Sequence, residues 1–403
     1  MKNLCLSGVL AVCALSATAQ TTSTPTFDRY KFEDGAVIAH MSNNGQWAVT
    51  YTSDPDKGTY KGARIVNLQT GKDKVLVASL NTDTVASNSV YDVTNDGNIA
   101  VGELNSKPAY YSAKEDKWVF LPLAGDADCG LITAVTPDGK YAVGRINYSD
   151  PSREYEEAVA FWDLTTNKLL PTPGIPTKDM SHQDQKMNRF MNISADGKYI
   201  LGCMSFTYLP MGEDLGGCFC YVYDVEKKTY KPIGFDETET GRWKAHHDGL
   251  FYIGEAMMSN NGEWVTGGAY LVKAVSGSEF PSEYEVPYRY NVKTGEIQVY
   301  DDNESIDKSG WSIDNQGNVY AAGPAASPYR DFSVRSGKYW IDFTQTMKQK
   351  YQKDIMGELG ISNSGTPISL SDDGLTIATT IDPHEAYIVR LTEPFTQIAD
   401  NIN

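Results

Sequence analysis

Thr136-Pro137-Asp138-Gly139-Lys140-Tyr141-Ala142-Val143-Gly144 is the stretch from which the fold of this chain is read. A hydroxyl residue, a variable residue, an acid and a glycine precede an aromatic, a small and an aliphatic residue, then a second glycine. Asp-Gly and Asn-Gly tolerate the positive φ angles of tight hairpin turns, whose twist matches the flanking strands. The hydroxyl at the first position bonds the turn backbone where ladder pairing reverses. The stretch therefore predicts two antiparallel strands, a and b, joined by a tight turn.

The signal recurs in both directions. Further copies are Ser42-Asn43-Asn44-Gly45, Thr94-Asn95-Asp96-Gly97, Ser194-Ala195-Asp196-Gly197, Ser259-Asn260-Asn261-Gly262 and Ser371-Asp372-Asp373-Gly374, with a degenerate one at Asp314-Asn315-Gln316-Gly317. Successive glycines lie 42 to 65 residues apart. A third strand follows most copies, as in Ala63–Leu68, Ala158–Leu164, Phe219–Val225 and Tyr288–Val292. Turns such as Gln69-Thr70-Gly71-Lys72 and Lys293-Thr294-Gly295-Glu296 then lead to a short fourth strand. Two hairpins per repeat make a four-stranded antiparallel sheet, and seven repeats predict an all-β, seven-bladed β-propeller.

The last copy stops after its third strand, Ala386–Leu391, while Thr26–Phe32 precedes the first copy as an orphan strand. The N-terminal strand is expected to complete blade 7 and close the ring, which removes an exposed edge. One segment departs from the pattern. Phe343, Met347, Tyr351, Ile355 and Leu359 recur every four residues ahead of Gly360, which predicts a short amphipathic helical insertion near 344–358 in place of a fourth strand in blade 6.

The chain of 403 residues carries 35 Lys and Arg against 52 Asp and Glu, a net charge of −17 that argues against a basic nucleic-acid or anionic-membrane surface. Residues 1–19 read as a secretory signal: Lys2, an apolar run from Leu4 to Leu15, and small residues at Ala17-Thr18-Ala19. Residues 20–403 are then one exported propeller domain, periplasmic or on the cell surface, with no transmembrane segment and expected to be a monomer. Four cysteines remain in it: Cys129, Cys203, Cys218 and Cys220. Buried thiols are one reading, and a pair between Cys203 and either Cys218 or Cys220 on adjacent strands is another. Cys-Phe-Cys lacks the gap of a zinc knuckle.

The Ser-x-Asp-Gly turn followed by an aromatic and a small–aliphatic pair resembles the repeat of the TolB-type, WD40-like bacterial propellers. The resemblance covers nearly the whole mature chain and implies the same fold. For function it implies little, because the repeat serves binding proteins, protease-associated propellers and polysaccharide lyases alike.

The a–b and c–d turns share one rim, and the longer b–c and d–a connections share the other, where binding is expected. These connections carry Arg153, Tyr155, Tyr208, Arg242, Trp243, His246, His247, Tyr284, Tyr329 and Arg330. Aromatic rings there suit sugar faces or a partner's side chains, and arginines suit carboxylates. His182, His247 and His384 are the candidates for a divalent metal, on the resemblance to oligogalacturonate-lyase propellers; no cofactor is otherwise expected. Adjacent residues of an extended chain point opposite ways, so His246 and His247 are not expected to converge. No Gly-x-Ser-x-Gly elbow, phosphate loop or dinucleotide fingerprint occurs.

The reading that follows is an exported, non-catalytic binding module recognising a glycan or protein partner at the long-loop rim. A lyase or glycoside hydrolase acting on acidic glycan, and a structural component of the cell envelope, are the alternatives.

Overall fold

A computed structural model describes residues 24–31, 36–52, 63–76, 88–148, 157–172, 188–208, 215–237, 243–273, 282–302, 308–323, 332–382 and 385–395. The expected signal at 1–19 lies outside these residues. Seven four-stranded antiparallel sheets are present, each ordered a-b-c-d from the axis outward. Blade 1 comprises Ala36–Met41, Trp47–Thr52, Arg64–Asn67 and Asp73–Val75, and blade 2 Asn88–Val93, Ile99–Leu104, Lys107–Ser112 and Lys117–Phe120. Blade 3 comprises Cys129–Val135, Tyr141–Asn147, Glu157–Asp163 and Lys168–Leu169, and blade 4 Asn188–Ile193, Tyr199–Tyr208, Leu215–Asp224 and Thr229–Pro232. Blade 5 comprises Leu250–Met258, Trp264–Lys273, Ser282–Asn291 and Ile297–Val299, and blade 6 Ser309–Ile313, Val319–Ala322, Ser333–Ser336 and Tyr339–Asp342. Blade 7 takes Thr366–Leu370, Thr376–Asp382 and Glu385–Arg390, with Thr26–Lys31 as its outer strand.

The repeat signal does more than turn the chain. In blade 3 the Thr136 hydroxyl donates to Asp138 Oδ1 at 2.7 Å and accepts from Tyr141 N at 3.0 Å, and Asp138 Oδ1 accepts from Lys140 N. The same triangle recurs at Ser42, Ser194, Ser259 and Ser371. In the degenerate sixth copy Asp314 does both jobs, accepting from Gln316 N and Asn318 N. The second turn residue faces the neighbouring blade. Asn95 N donates to Pro137 O, Ala195 N to Asn260 O, Asn315 Nδ2 to Asp372 O and Asp372 N to Asn43 O. The turns are thus clasps between blades.

The turn glycines and the aromatics that follow them form a second joint. Gly97 has φ +69°, and a Cβ there would strike the indole of Trp47 from blade 1. Ile99 covers Gly139, Tyr141 covers Gly197, Tyr199 covers Gly262, Trp264 covers Gly317 and Thr376 covers Gly45. Six of the seven blades therefore seat the first residue of strand b on the turn glycine of the next; the exception is blade 6, because a Cβ on Gly374 would meet only Pro394. Gly97→Ala combines a left-handed backbone with a steric clash and is expected to cost about 1–3 kcal/mol. Denaturant melts check this; parental stability would mean that the Trp47 ring has room to move.

Every inner strand carries a register shift at the same level, for example between Ile38 and His40, Val90 and Asp92, and Ile132 and Ala134. A bulge pushes the inner backbone toward strand b. The second glycine of the repeat answers it: a Cβ on Gly102 or Gly144 would meet the carbonyl of Ser89 or Leu131. Polar groups near the bulges link blades. His40 Nδ1 lies 2.9 Å from Asp92 Oδ1, and Asp92 Oδ2 accepts from Val135 N at 2.9 Å. Thr133, Ser312 and Ser369 hydroxyls donate to Phe190 O, Pro367 O and Met41 O of adjacent blades. His40, on the inner strand of blade 1, is thus a satisfied histidine.

Closure follows the sequence expectation. Thr26–Lys31 pairs antiparallel with Glu385–Arg390 over six residues. Glu385 takes both Arg29 and Lys31, and Arg390 takes Asp28 together with Leu68 O of blade 1. The helical segment is corrected in two respects. Blade 6 has its fourth strand, Tyr339–Asp342, and the helix follows it rather than replacing it. The helix is also two: α1 (Phe343–Tyr351), capped by Asp342 and ended by a left-handed Gln352, and α2 (Ile355–Leu359), ended by Gly360. They bury Phe343, Met347, Ile355 and Leu359 in one cluster with Tyr387 and Phe395, against which Phe27 of the closing strand packs. Arg29 Nη1 donates to Leu359 O at 2.6 Å. The insertion braces the seam.

Candidate binding rim

Blades 4 and 5 break the symmetry. Among the described residues their b and c strands run ten residues each, against four to seven in the other blades. At about 3.3 Å per residue the excess is roughly 10–20 Å. The register continues outward through Phe206↔Gly217 and Tyr208↔Leu215 in blade 4, and through Val272↔Glu283 and Lys273↔Ser282 in blade 5. Residues 206–208 and 215–217, and residues 272–273 and 282–285, of the long connections that carry Tyr208 and Tyr284 are therefore strand rather than loop. They stand on the rim opposite the Ser-x-Asp-Gly turns.

Between these two blades the connection forms a further two-stranded pair, Phe235–Glu237 with Trp243–Ala245, in which Glu237 and Trp243 are register partners. It is tied down at its base. His246 N donates to Gly234 O, and Val272 N of the projecting blade 5 strand donates to Gly249 O. His246 Nε2 lies 2.8 Å from Asp236 Oδ2, whereas His247 Nε2 lies 3.6 Å from Asp301 Oδ2. The two imidazoles are thus committed to different carboxylates, consistent with the alternation expected of an extended chain. Among the described residues no group of three or more His, Cys, Asp or Glu side chains is gathered for a metal.

Aromatic rings gather on blade 5. Tyr252 and Tyr270, partners across strands a and b, stack with centroids 4.2 Å apart and planes 15° apart. Gly254 makes the space, since a Cβ there would lie 2.7 Å from the Tyr270 ring. Tyr284 is half-buried on strand c, opposite Leu271. Next to it Glu285 reaches blade 6 and accepts from the Ser309 hydroxyl. Tyr252 and Tyr270 were not singled out from sequence; their signal was an outward continuation of the strand that the segment boundaries concealed.

Of the ten candidate residues, five are described. Tyr208, Trp243, His246, His247 and Tyr284 all fall on blades 4 and 5 or on the connection between them. Tyr208 and Trp243 are on strands rather than loops. Arg153, Tyr155, Arg242, Tyr329 and Arg330 lie outside the described residues, as do His182 and His384.

A second polar group sits between blades 2 and 3. Arg145 Nη1 lies 2.6 Å from Glu157 Oε1, which also accepts from Asn147 Nδ2. Burial pushes the carboxyl of Glu103 above its ordinary range, and the Arg145 charge only partly offsets this. Among the described residues no helix is long and apolar enough to cross a membrane.

Comparison with known proteins places the architecture. No protein-family model matches the chain, and no curated protein matches its sequence. Solved structures do match. The chain superposes on hydrazine synthase of Kuenenia stuttgartiensis with a TM-score of 0.50 at 14% identity, covering 90% of this chain and 97% of that one. An oligogalacturonate lyase from Vibrio parahaemolyticus gives 0.49 at 11% identity, covering 91% and 97%. TolB from Acinetobacter baumannii gives 0.39 at 11% identity, covering 88% of this chain and 65% of that one. The likeness is one of fold. The seven blades are those of this chain's own sheets, and the ligand is left to be argued from the rim.

Proposed function

We propose that the protein is an exported, non-catalytic binding module that holds a glycan or protein partner on the rim raised by blades 4 and 5. One observation carries the reading: two successive blades extend both strands of a hairpin beyond their neighbours, and aromatic side chains collect there. Strand extension costs conformational entropy, and beyond the buried Leu271 it adds residues such as Val272, Ser282 and Glu283 that are half-buried or exposed, so the outer part of the wall is better explained by what it touches than by stability. Tyr and Trp supply large contact area at low rotamer cost, and their faces suit both pyranose rings and apolar side chains. The module acts as a monomer without a cofactor, and the excess of acidic residues elsewhere keeps it soluble.

The test is retention on a glycan array and on an immobilised envelope-protein extract, read with and without a metal chelator. Arg242→Ala with Trp243→Ala, and separately Tyr284→Ala, should each weaken retention by roughly 30-fold, the loss typical of a central aromatic anchor. The melting temperature of the Arg242/Trp243 variant should stay within a degree or two of the parent, whereas Tyr284→Ala, which removes a ring packed on the blade 4–5 cluster, should melt lower and is read well below its own transition. Retention unchanged in both variants would discard this rim, and retention abolished by the chelator would discard the metal-free reading.

A further inference from the structure

We propose that Cys203 and Cys220 are joined by a disulfide when the chain folds in an oxidising compartment. Neither is in a disulfide in the structure, and nor is Cys129. Cys203 on strand b of blade 4 is the direct register partner of Cys220 on strand c. Directly opposed residues of an antiparallel pair present their side chains on one face.

The hydrogen-bond pattern decides which kind of pair this is. Ile233 N donates to Cys220 O at 2.9 Å, so the peptide groups of Cys220 turn toward strand d and away from strand b. Cys203 and Cys220 are therefore a non-hydrogen-bonded pair, the closer of the two antiparallel classes, with Cα atoms about 4.5 Å apart. A disulfide spans Cα separations of roughly 4.4–6.8 Å, so no backbone rearrangement is needed. Cys218 is opposite Ser205 and is only the diagonal neighbour of Cys203, at about 7–8 Å and beyond that reach. Cys129 belongs to blade 3 and faces Asn147. Register thus selects one pairing from the two that sequence left open.

The site is also protected. Cys203 is 5% exposed and Cys220 0%, both in the cluster that packs blade 4 on blade 5. Cys220 Sγ donates to Gly254 O at 3.1 Å, a weak bond that oxidation gives up. The chemistry is exchange with a small disulfide oxidant such as oxidised glutathione. One cysteine thiolate attacks it and expels a glutathione thiolate; the second cysteine thiolate then attacks the mixed disulfide and expels the other. Two protein thiols are oxidised, one oxidant disulfide is reduced to two thiols, and the two cysteine protons end on the released glutathione. The bond would lie at the root of the projecting blade 4 hairpin, closing the segment 203–220 beneath its tip.

The experiment refolds the full chain in a glutathione redox buffer, alkylates the remaining thiols and cleaves after Glu213, which separates Cys203 from Cys218 and Cys220. The two fragments should stay linked, two hydrogens lighter than their sum, in the parent and in Cys218→Ser. They should separate in Cys203→Ser and Cys220→Ser. Reduction of the folded parent should lower its melting temperature by roughly 5–10 °C. Full alkylation of Cys203 and Cys220 in the refolded parent, or a link that persists in Cys220→Ser, would overturn the assignment. Because this readout needs no ligand, it is independent of the binding proposal.

Discussion

A chain lacking residues 20–33 is expected to melt roughly 10 °C or more below the parent, in one cooperative transition. The deletion removes the outer strand of blade 7 with all six of its register pairs. It also leaves Glu385, 7% exposed as a residue, without either of its cations, and Arg390 without Asp28. Phe27 leaves the cluster built by α1 and α2, and Leu359 O loses Arg29. Lys31 and Arg29 hold the Glu385 carboxyl below its usual range, so the contribution of this group is present above the ordinary glutamate value and is lost as pH falls through its folded value. Its partners are well exposed, and solvent keeps that part of the effect small. The main loss is that of an ordered strand and its apolar cover. Calorimetry of the deletion checks it, and a melting temperature equal to the parent's would mean that the ring closes without the N-terminal strand.

Asp92→Asn is expected to cost about 3–5 kcal/mol, the range for breaking a buried charged pair from one side. Asp92 joins three blades at once: its Oδ1 faces His40 of blade 1 and accepts from its neighbour Val93 N, while its Oδ2 accepts from Val135 N of blade 3. An asparagine keeps the shape and surrenders both the charge and one acceptor. Burial alone would lower the pKa of His40, and the Asp92 charge and hydrogen bond outweigh it, so the folded-state value is raised. A raised histidine contributes fully below its unfolded value, about 6.5, and the contribution disappears as pH rises through the folded value. The stability gap between the parent and His40→Gln should therefore be widest in mild acid and shrink toward alkaline pH. Urea melts across that range measure it, and a gap that widens with pH would show that His40 folds neutral.

The fold was legible because its signal is local. Thr136, Asp138, Gly139 and Tyr141 lie within one hairpin, and the bonds they make are those their chemistry suggests. Closure was legible by elimination, since one strand stood ahead of the first turn and one was missing after the last. What escaped was set by distant partners or by competing local preferences. That Trp47 covers Gly97 and Asn95 reaches Pro137 depends on ring curvature, which no window of sequence contains. Pro210, Gly212 and paired glycines at 216 and 217 made the blade 4 segment read as a loop, although cross-strand pairing carries it outward as far as Tyr208 and Leu215. The fourth strand of blade 6 is four residues long and runs directly into α1, so the period of the helix hid it. Of the rim, sequence identified the side that carries Tyr208, Trp243, His246, His247 and Tyr284 but spread the candidates over all the long connections; unequal strand lengths concentrate the described ones on two blades.

The seating of one blade's strand b residue on the next blade's turn glycine has a direction. Trp47 reaches forward to Gly97, Ile99 to Gly139 and Tyr141 to Gly197, and across the seam Thr376 reaches to Gly45. Each of these joints is a hook and an eye of the same polarity. Cutting the circle at such a joint leaves a hook on one end and an eye on the other, and never two of a kind. Two fragments of this chain are consequently complementary at both breaks and would re-form the circle by meeting head to tail, whereas two copies of the same open arc would have to queue into longer chains before any of them closed.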